Sequence, residues 1–259
     1  MQPQTTSDGP DSNERAMRRL LTSARQTIDS AEPATLVAGT LAVAGSVALA
    51  AGLLIAELVD EVMDPDEAVT PDDRIVDWIN QHASPALTTL FRTATRLADY
   101  WFAIIVVATT ATILIWKRHR GAAFALIASS AGAALVTQTL KEIIGRERPP
   151  IGGQLVAATG LAFPSGHSSQ SVACYGGLAL ATILASRRTG PRIAAITAAV
   201  VIAFLVGTSR VYLGVHWPSD VVAGWIVGLT WLTLVAAAAW LLRRLNRPRG
   251  WWPERPEPT

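Results

Sequence analysis

The sequence predicts an all-α fold: a polytopic membrane bundle of six transmembrane helices, with short interfacial helices in the first outward loop. Three observations carry that expectation. Half of the 259 residues are hydrophobic and only 16% are charged. The charges sit in short clusters and leave six apolar runs without any. Each run has the length a helix needs to cross a bilayer, about 20 residues with a range of about 17–25. A soluble domain spreads its charges along amphipathic faces, so this pattern does not fit an ordinary soluble enzyme. Spanning strands would alternate over about 10 residues, and no such alternation is present.

The six runs are Ala34–Ala56, Tyr100–Trp116, Gly121–Leu140, Ser168–Ser186, Ile193–Ser209 and Val221–Leu242. The first starts too late, and its apolar stretch is too long, for a cleaved signal peptide. Residues 1–33 are polar and read as a cytoplasmic segment with a disordered start and a short helix. The segment 243–259 is rich in proline and arginine and reads as a tail, disordered from about Pro248. The membrane domain is therefore 34–242. In the loop Glu57–Asp99, the stretch Asp60–Asp73 is acidic and turn-like, with Pro65 and Pro71. Beyond it Ile75, Trp78 and Ile79 recur at helical spacing, as do Leu87, Leu90, Phe91 and Ala94. Two short amphipathic helices at the membrane surface are expected there, broken near Ser84-Pro85. Packing against the bundle is the simpler role for them, and lipid entry the alternative. Trp101, Trp116 and Trp240 near span ends suit interfacial anchoring.

Basic residues set the topology. Of the 22 lysines and arginines, 15 fall before the first run, between the second and third, between the fourth and fifth, or after the sixth. The positive-inside rule then puts both termini in the cytoplasm and the loops 57–99, 141–167 and 210–220 outside. The formal net charge of +2 and the lack of a basic stripe with interleaved aromatics give no sign of a nucleic-acid partner. The single Cys174 excludes an intrachain disulfide and any zinc site that needs two thiolates. It reads as a buried, inert thiol.

Three polar clusters lie at span ends on the outward side. The first runs from Lys141 to Arg148-Pro149. The second is Pro164-Ser165-Gly166-His167. The third holds Ser209-Arg210, His216 and Asp220. Together they supply three cations, two imidazoles and a carboxylate, an inventory suited to phosphoryl transfer. Ser165 is a good N-cap candidate. The amides from Ser165 to His167 would then sit at a helix N-terminus, where an anion is favoured. Gly166 allows a ligand close to the backbone. Pro218 suits the first turn of the last helix. Asp220, four residues after His216, can accept its ring N–H and fix the tautomer. A transporter is the competing class, but it should carry charges at mid-membrane. The six runs carry none between their ends.

These clusters resemble the motif set of the type-2 phosphatidic acid phosphatase superfamily, integral membrane lipid phosphatases. The pattern is Lys, six residues, Arg-Pro; then Pro-Ser-Gly-His; then Ser-Arg, five residues, His, three residues, Asp. It is met without a mismatch over about residues 141–220. The resemblance implies that His216 is the nucleophile, forming a phosphohistidine, and that Asp220 orients it. It implies that His167 is general acid and then base. Lys141, Arg148 and Arg210, with Ser165 and the amide of Gly166, would form the phosphate clamp. It implies no metal and no other cofactor, since the clamp supplies three positive charges. Glu142, Arg146 and Glu147 fall outside the motif and read as surface charges; Tyr212 and Trp217 shape the site or anchor the membrane interface and are assigned no chemistry. The expected activity is hydrolysis of a lipid phosphate in a bacterial plasma membrane, at its outer leaflet. Phosphatidic acid, phosphatidylglycerophosphate and polyprenyl diphosphates such as undecaprenyl diphosphate are the candidate substrates. A lipid phosphotransferase using the same site is the alternative. Soluble haloperoxidases of the superfamily do not fit six spans. Neither substrate nor oligomeric state is fixed by the motifs.

The topology has a direct consequence. A cysteine placed at Gly153 should react with an impermeant maleimide added to intact cells, and one at His119 should not. Reversed labelling would overturn the outward placement.

Overall fold

The computed structural model describes residues 14–23, 32–63, 71–149 and 154–246. The disordered start expected before residue 14, the middle of the acidic stretch (64–70) and the tail from residue 247 lie outside the described residues. The two ends of that acidic stretch, 60–63 and 71–73, expected as turn-like, are helical. Backbone contacts divide the chain into two units, residues 1–43 with 241–259, and Ala44–Trp240. In the first, α1 (14–23) is an exposed helix with an i,i+4 pair between Arg18 and Glu14 at 2.8 Å.

The elements that follow are α2 (Pro33–Met63), α3 (Pro71–Gln81), α4 (Pro85–Thr95), a 3₁₀ turn (Arg96–Ala98), α5 (Tyr100–Trp116), α6 (Arg120–Ile144), α7 (Gly166–Ala185), α8 (Thr189–Tyr212) and α9 (Pro218–Leu245). The described residues are helical, with no strand among them. Each of the six apolar runs is a helix: α2 and α5 to α9. By length and hydropathy α2, α6, α8 and α9 can each cross a bilayer, and α4 with α5, bent by 50°, makes a fifth if counted as one span. α7 carries His167, Ser168, Ser169, Gln170 and Ser171 in its first turns, which lowers its mean hydropathy. The expectation of six spans therefore rests on the sequence for its last member.

In a bilayer, packing of small side chains and buried hydrogen bonds holds helices together. α6 and α7 meet in this way. Ala122, Leu126, Ser129, Ala133 and Thr137 are buried on α6, and Ala173, Cys174, Gly177 and Ala181 on α7. Ser129 donates its hydroxyl to the carbonyl of Ala173 at 2.8 Å, and Thr137 and Ser169 share a hydrogen bond of 2.7 Å. α9 crosses α7 closer still. A Cβ on Gly224 would lie 2.6 Å from the carbonyl oxygen of Ser165, and one on Gly228 would lie 2.7 Å from that of Ser169. The GxxxG spacing lets backbone meet backbone, and it brings the start of α9 against the start of α7.

The break between α3 and α4 falls where it is expected. Ser84 caps α4, accepting from the amide of Leu87 at 3.4 Å, with Pro85 in the first turn. The two helices do pack against the bundle. The Phe91 ring lies 4.6 Å from the ring of Tyr212, and the backbone amide of Ser84 donates to the Tyr212 hydroxyl at 2.9 Å. Ile79 and Phe91 join Leu213 and Val215 in one apolar cluster beneath the turn after α8.

Gly224→Ala should force α7 and α9 apart and destabilise the fold by about 1–3 kcal/mol, the usual cost of overpacking. Gly52→Ala, whose Cβ meets nothing within 4 Å, is the control. Thermal unfolding in detergent should show a lower midpoint for the first variant alone; equal midpoints would refute the close crossing.

Candidate active site

Five helix ends converge to form the site. α6 ends at Gly145, whose φ of 72° is the left-handed cap glycine favours, its amide bonded to the carbonyl of Lys141 at 3.0 Å. That cap reverses the chain beyond Lys141, which lies on the last turn of α6. α7 starts at Ser165, which accepts from the amide of Ser168. α8 ends two residues after Arg210, and a turn through Gly214 (φ 68°) carries His216 to Pro218, where α9 begins. α5 starts just after Asp99. All eight residues singled out in the sequence lie around this one region.

His216 is 1% exposed and its Nδ1 lies 3.2 Å from Oδ2 of Asp220, which is fully buried. Its Nε2 lies 3.0 Å from Nη1 of Arg148. A guanidinium only donates, so Nε2 accepts and the ring proton sits on Nδ1, facing the carboxylate. The lone pair of Nε2 is thereby turned toward the cations. Arg148 is held in place by carbonyls: Nη1 donates to Val215 at 2.6 Å, Nε to Gly160 at 2.9 Å and Nη2 to Thr159 at 3.1 Å.

Lys141 and Arg210 are also anchored by hydrogen bonds. The Lys141 ammonium donates to the carbonyls of Leu161 (2.6 Å) and Ala162 (3.0 Å), and its Cε passes Gly166 at 3.9 Å from a would-be Cβ. Arg210 is 6% exposed and donates from Nη1 to the Thr95 hydroxyl at 2.7 Å. Its Nε is buried without a hydrogen-bond partner among the described residues. A buried unpaired donor on a cation costs free energy unless an acceptor arrives, and an anionic oxygen would supply one. Ser165 is fully buried, and its amide donates to the backbone carbonyl of Asp220 at 2.8 Å.

Several partners were not legible as site residues. Asp99 precedes α5 but makes no side-chain cap; its Oδ1 lies 3.1 Å from Nε2 of His167. Thr95 anchors Arg210. Arg146, expected as a surface charge, is instead partly buried: its side chain is 10% exposed and pairs with both Asp220 (2.7 Å) and Asp72 (2.9 Å). The expectation failed because a basic residue next to a helix end gives no sign of the carboxylates that fold against it. Asp72 looks in the sequence like a first-turn dipole partner of α3. Glu142 and Glu147 are exposed, as expected. Tyr212 buttresses α4, and Trp217 stacks under Arg146 with 5.4 Å between guanidinium and ring centre.

A cleft of about 810 Å³ opens beside Lys141, Gly166 and His167 and runs between α5, α6 and α7. Its walls are mainly apolar, with Ile104, Val107, Ile127 and Leu135 among them. Among the described residues, no group of three or more His, Cys, Asp or Glu side chains is placed to hold a metal ion.

Residues 122–244 match the model of the PAP2 superfamily. The chain is 31% identical over 145 residues to an undecaprenyl-diphosphatase of Sulfolobus acidocaldarius, covering 54% of this chain and 66% of that protein. It is 42% identical over 103 residues to phosphatidylglycerophosphatase B of Bacillus subtilis, covering 39% and 50%. The match thus spans between half and two thirds of those relatives' own lengths. The crystal structure of a transmembrane PAP2-type phosphatidylglycerolphosphate phosphatase from Bacillus subtilis superposes with a TM-score of 0.65 at 26% identity, over 72% of this chain and 92% of that one.

Burial, then the charges of Arg148, Arg210 and Lys141, then His167, hold the His216 imidazole well below its ordinary value of 6.5, against the pull of Asp220. The ring is therefore neutral at neutral pH. In ring-labelled ligand-free protein, nitrogen NMR should show His216 still neutral at pH 6.5. Arg148→Gln should move its titration upward, because a charge that opposes the imidazolium is gone. A His216 ring half-protonated at or above that pH would contradict this picture.

Proposed function

We propose that this chain, which belongs to the PAP2 superfamily, is a membrane lipid phosphatase that works through a phosphohistidine on His216. The observation that carries the reading is the lone pair of His216 Nε2. It faces Arg148, with Lys141 and Arg210 close by and Asp220 behind the ring. A phosphoryl group entering there would replace the contact between Arg148 and Nε2. Its non-bridging oxygens would take the guanidiniums, the ammonium and the orphan Nε of Arg210.

Nε2 then attacks phosphorus as the bond to the leaving oxygen breaks. His167 gives that oxygen a proton, and Asp220 balances the charge on the His216 ring. In the second step His167 takes a proton from water, which attacks the phosphohistidine and frees inorganic phosphate. Three cations stabilise the phosphoryl charge in both steps, so the steps as written route nothing through a metal. The substrate is a phosphomonoester or diphosphate of a lipid: phosphatidic acid, phosphatidylglycerophosphate or a polyprenyl diphosphate. Its chain would lie in the apolar cleft between α5, α6 and α7, which opens at Lys141 and His167. The names of the relatives, a polyprenyl diphosphatase and a phosphatidylglycerophosphatase, support this substrate class. The distribution of basic residues supports an active site at the outer leaflet.

Purified protein should release phosphate from lipid phosphates in mixed micelles. Quenching without acid after mixing with radiolabelled substrate should trap a phosphoramidate on His216. His216→Ala should lose the label and turnover together. Asp220→Asn should keep a weaker version of both, because an amide holds the ring without balancing its charge. Label on a serine or an aspartate, or a His216→Ala protein with wild-type turnover, would overturn the mechanism.

A further inference from the structure

Asp220 has two carboxylate oxygens and uses them differently. Oδ2 receives the Nδ1–H of His216 at 3.2 Å and the amide of Trp217 at 2.9 Å. Oδ1 receives Nη1 of Arg146 at 2.7 Å. The guanidinium thus grips the oxygen that the histidine does not use, and fixes the plane of the carboxylate.

Arg146 is itself fixed from three directions. Its Nη2 donates to Oδ2 of Asp72 at 2.9 Å, its Nη1 also donates to the Ser219 hydroxyl at 2.7 Å, and its face lies over Trp217. Asp72 comes from α3, far from the three clusters in sequence. It holds α9 as well, accepting the Ser219 amide at 3.0 Å and the Ser219 hydroxyl. Asp72 is 6% exposed and Asp220 0%, so the chain Asp72–Arg146–Asp220–His216 runs out of water. Arg146 lies between two carboxylates, and its charge is already matched. It differs in this from Lys141, Arg148 and Arg210, which among the described residues donate only to neutral groups.

We propose that Arg146, held by Asp72, is a positioning residue that sets the Asp220–His216 dyad, and that α3 thereby takes part in the reaction. The inference rests on His216 being the nucleophile. Without Arg146, Oδ1 of a buried carboxylate loses its donor. The carboxylate is then free to turn away from Nδ1, and the Nε2 lone pair is no longer held in place. Phosphate binding should be largely untouched, because the clamp uses other residues.

The test is steady-state kinetics on phosphatidic acid in mixed micelles, with full-length protein. Arg146→Gln should lower kcat about 10-fold or more while KM stays within about 3-fold, the signature of an interaction used in the transition state alone. Arg146→Lys should recover only part of the loss, since an ammonium cannot fork between two carboxylates. The deciding readout is a double-mutant cycle with Asp220→Asn. If Arg146 acts through Asp220, adding Arg146→Gln to Asp220→Asn should cost about 2-fold or less. A generally structural role would multiply the two losses instead, and that result overturns the proposal. Should Arg146→Gln fail to fold, Asp72→Asn replaces it in the same cycle, with the same two outcomes. His216→Ala is measured alongside. If it turns over normally, the nucleophile reading fails and takes this inference with it. If it is dead while Arg146→Gln keeps wild-type kcat, this inference fails alone.

Discussion

Asp220 ties the molecule together at the active end. Its backbone carbonyl takes the amide of Ser165, its Oδ1 takes Arg146 and its Oδ2 takes His216. Each partner comes from a different one of the three polar clusters. A carboxylate with no exposed surface is tolerable only when every lone pair has a donor. The folding of the first and third clusters around this carboxylate is therefore a condition of its burial, while the second is tied to the backbone of the same residue. The GxxxG crossing of α9 on α7 supplies the other half of the condition, since no side chain fits between Gly224 and the carbonyl of Ser165.

The membrane setting explains why the polar groups gather at helix ends. Six apolar helices leave the ends as the places where charge is cheap and the backbone of a helix start offers free amides. Small residues let the helices approach, and the bundle then presents five ends at one place. Lys141 and Arg148 are anchored on carbonyls of residues 159–162 and of the turn after α8, and Arg210 on the Thr95 hydroxyl of α4. These contacts hold the three side chains without an anion present, which on the proposed function lowers the reorganisation needed at the moment of reaction.

Much of this was legible in the sequence. The six uncharged runs gave the helices because burial in lipid demands them, and the break at Ser84-Pro85 was marked by a capping serine and a first-turn proline. Lys141, Arg148, His167, Arg210, His216 and Asp220 stood out because charges are rare at such positions. Asp72, Thr95, Asp99 and Arg146 did not stand out. Asp72 and Asp99 sit at helix starts, where a carboxylate is ordinary, and Thr95 is one of several threonines on α4. Only the packing of α3, α4 and the start of α5 against the ends of α7, α8 and α9 shows what they touch. Local pattern reports the helix a residue belongs to, whereas these contacts join positions far apart in the chain, such as Asp72 with Ser219 and Thr95 with Arg210.

On the proposed function, the cations and His216 form one preorganised site for a phosphoryl group. A structure determined with orthovanadate, which adopts the geometry of phosphorus in transfer, tests it most directly. Vanadium should be bonded to Nε2 of His216, with its oxygens on Lys141, Arg148 and Arg210 and one of them on the Nε of Arg210. Vanadate bound elsewhere, or held at this site through any other side chain than His216, would contradict it.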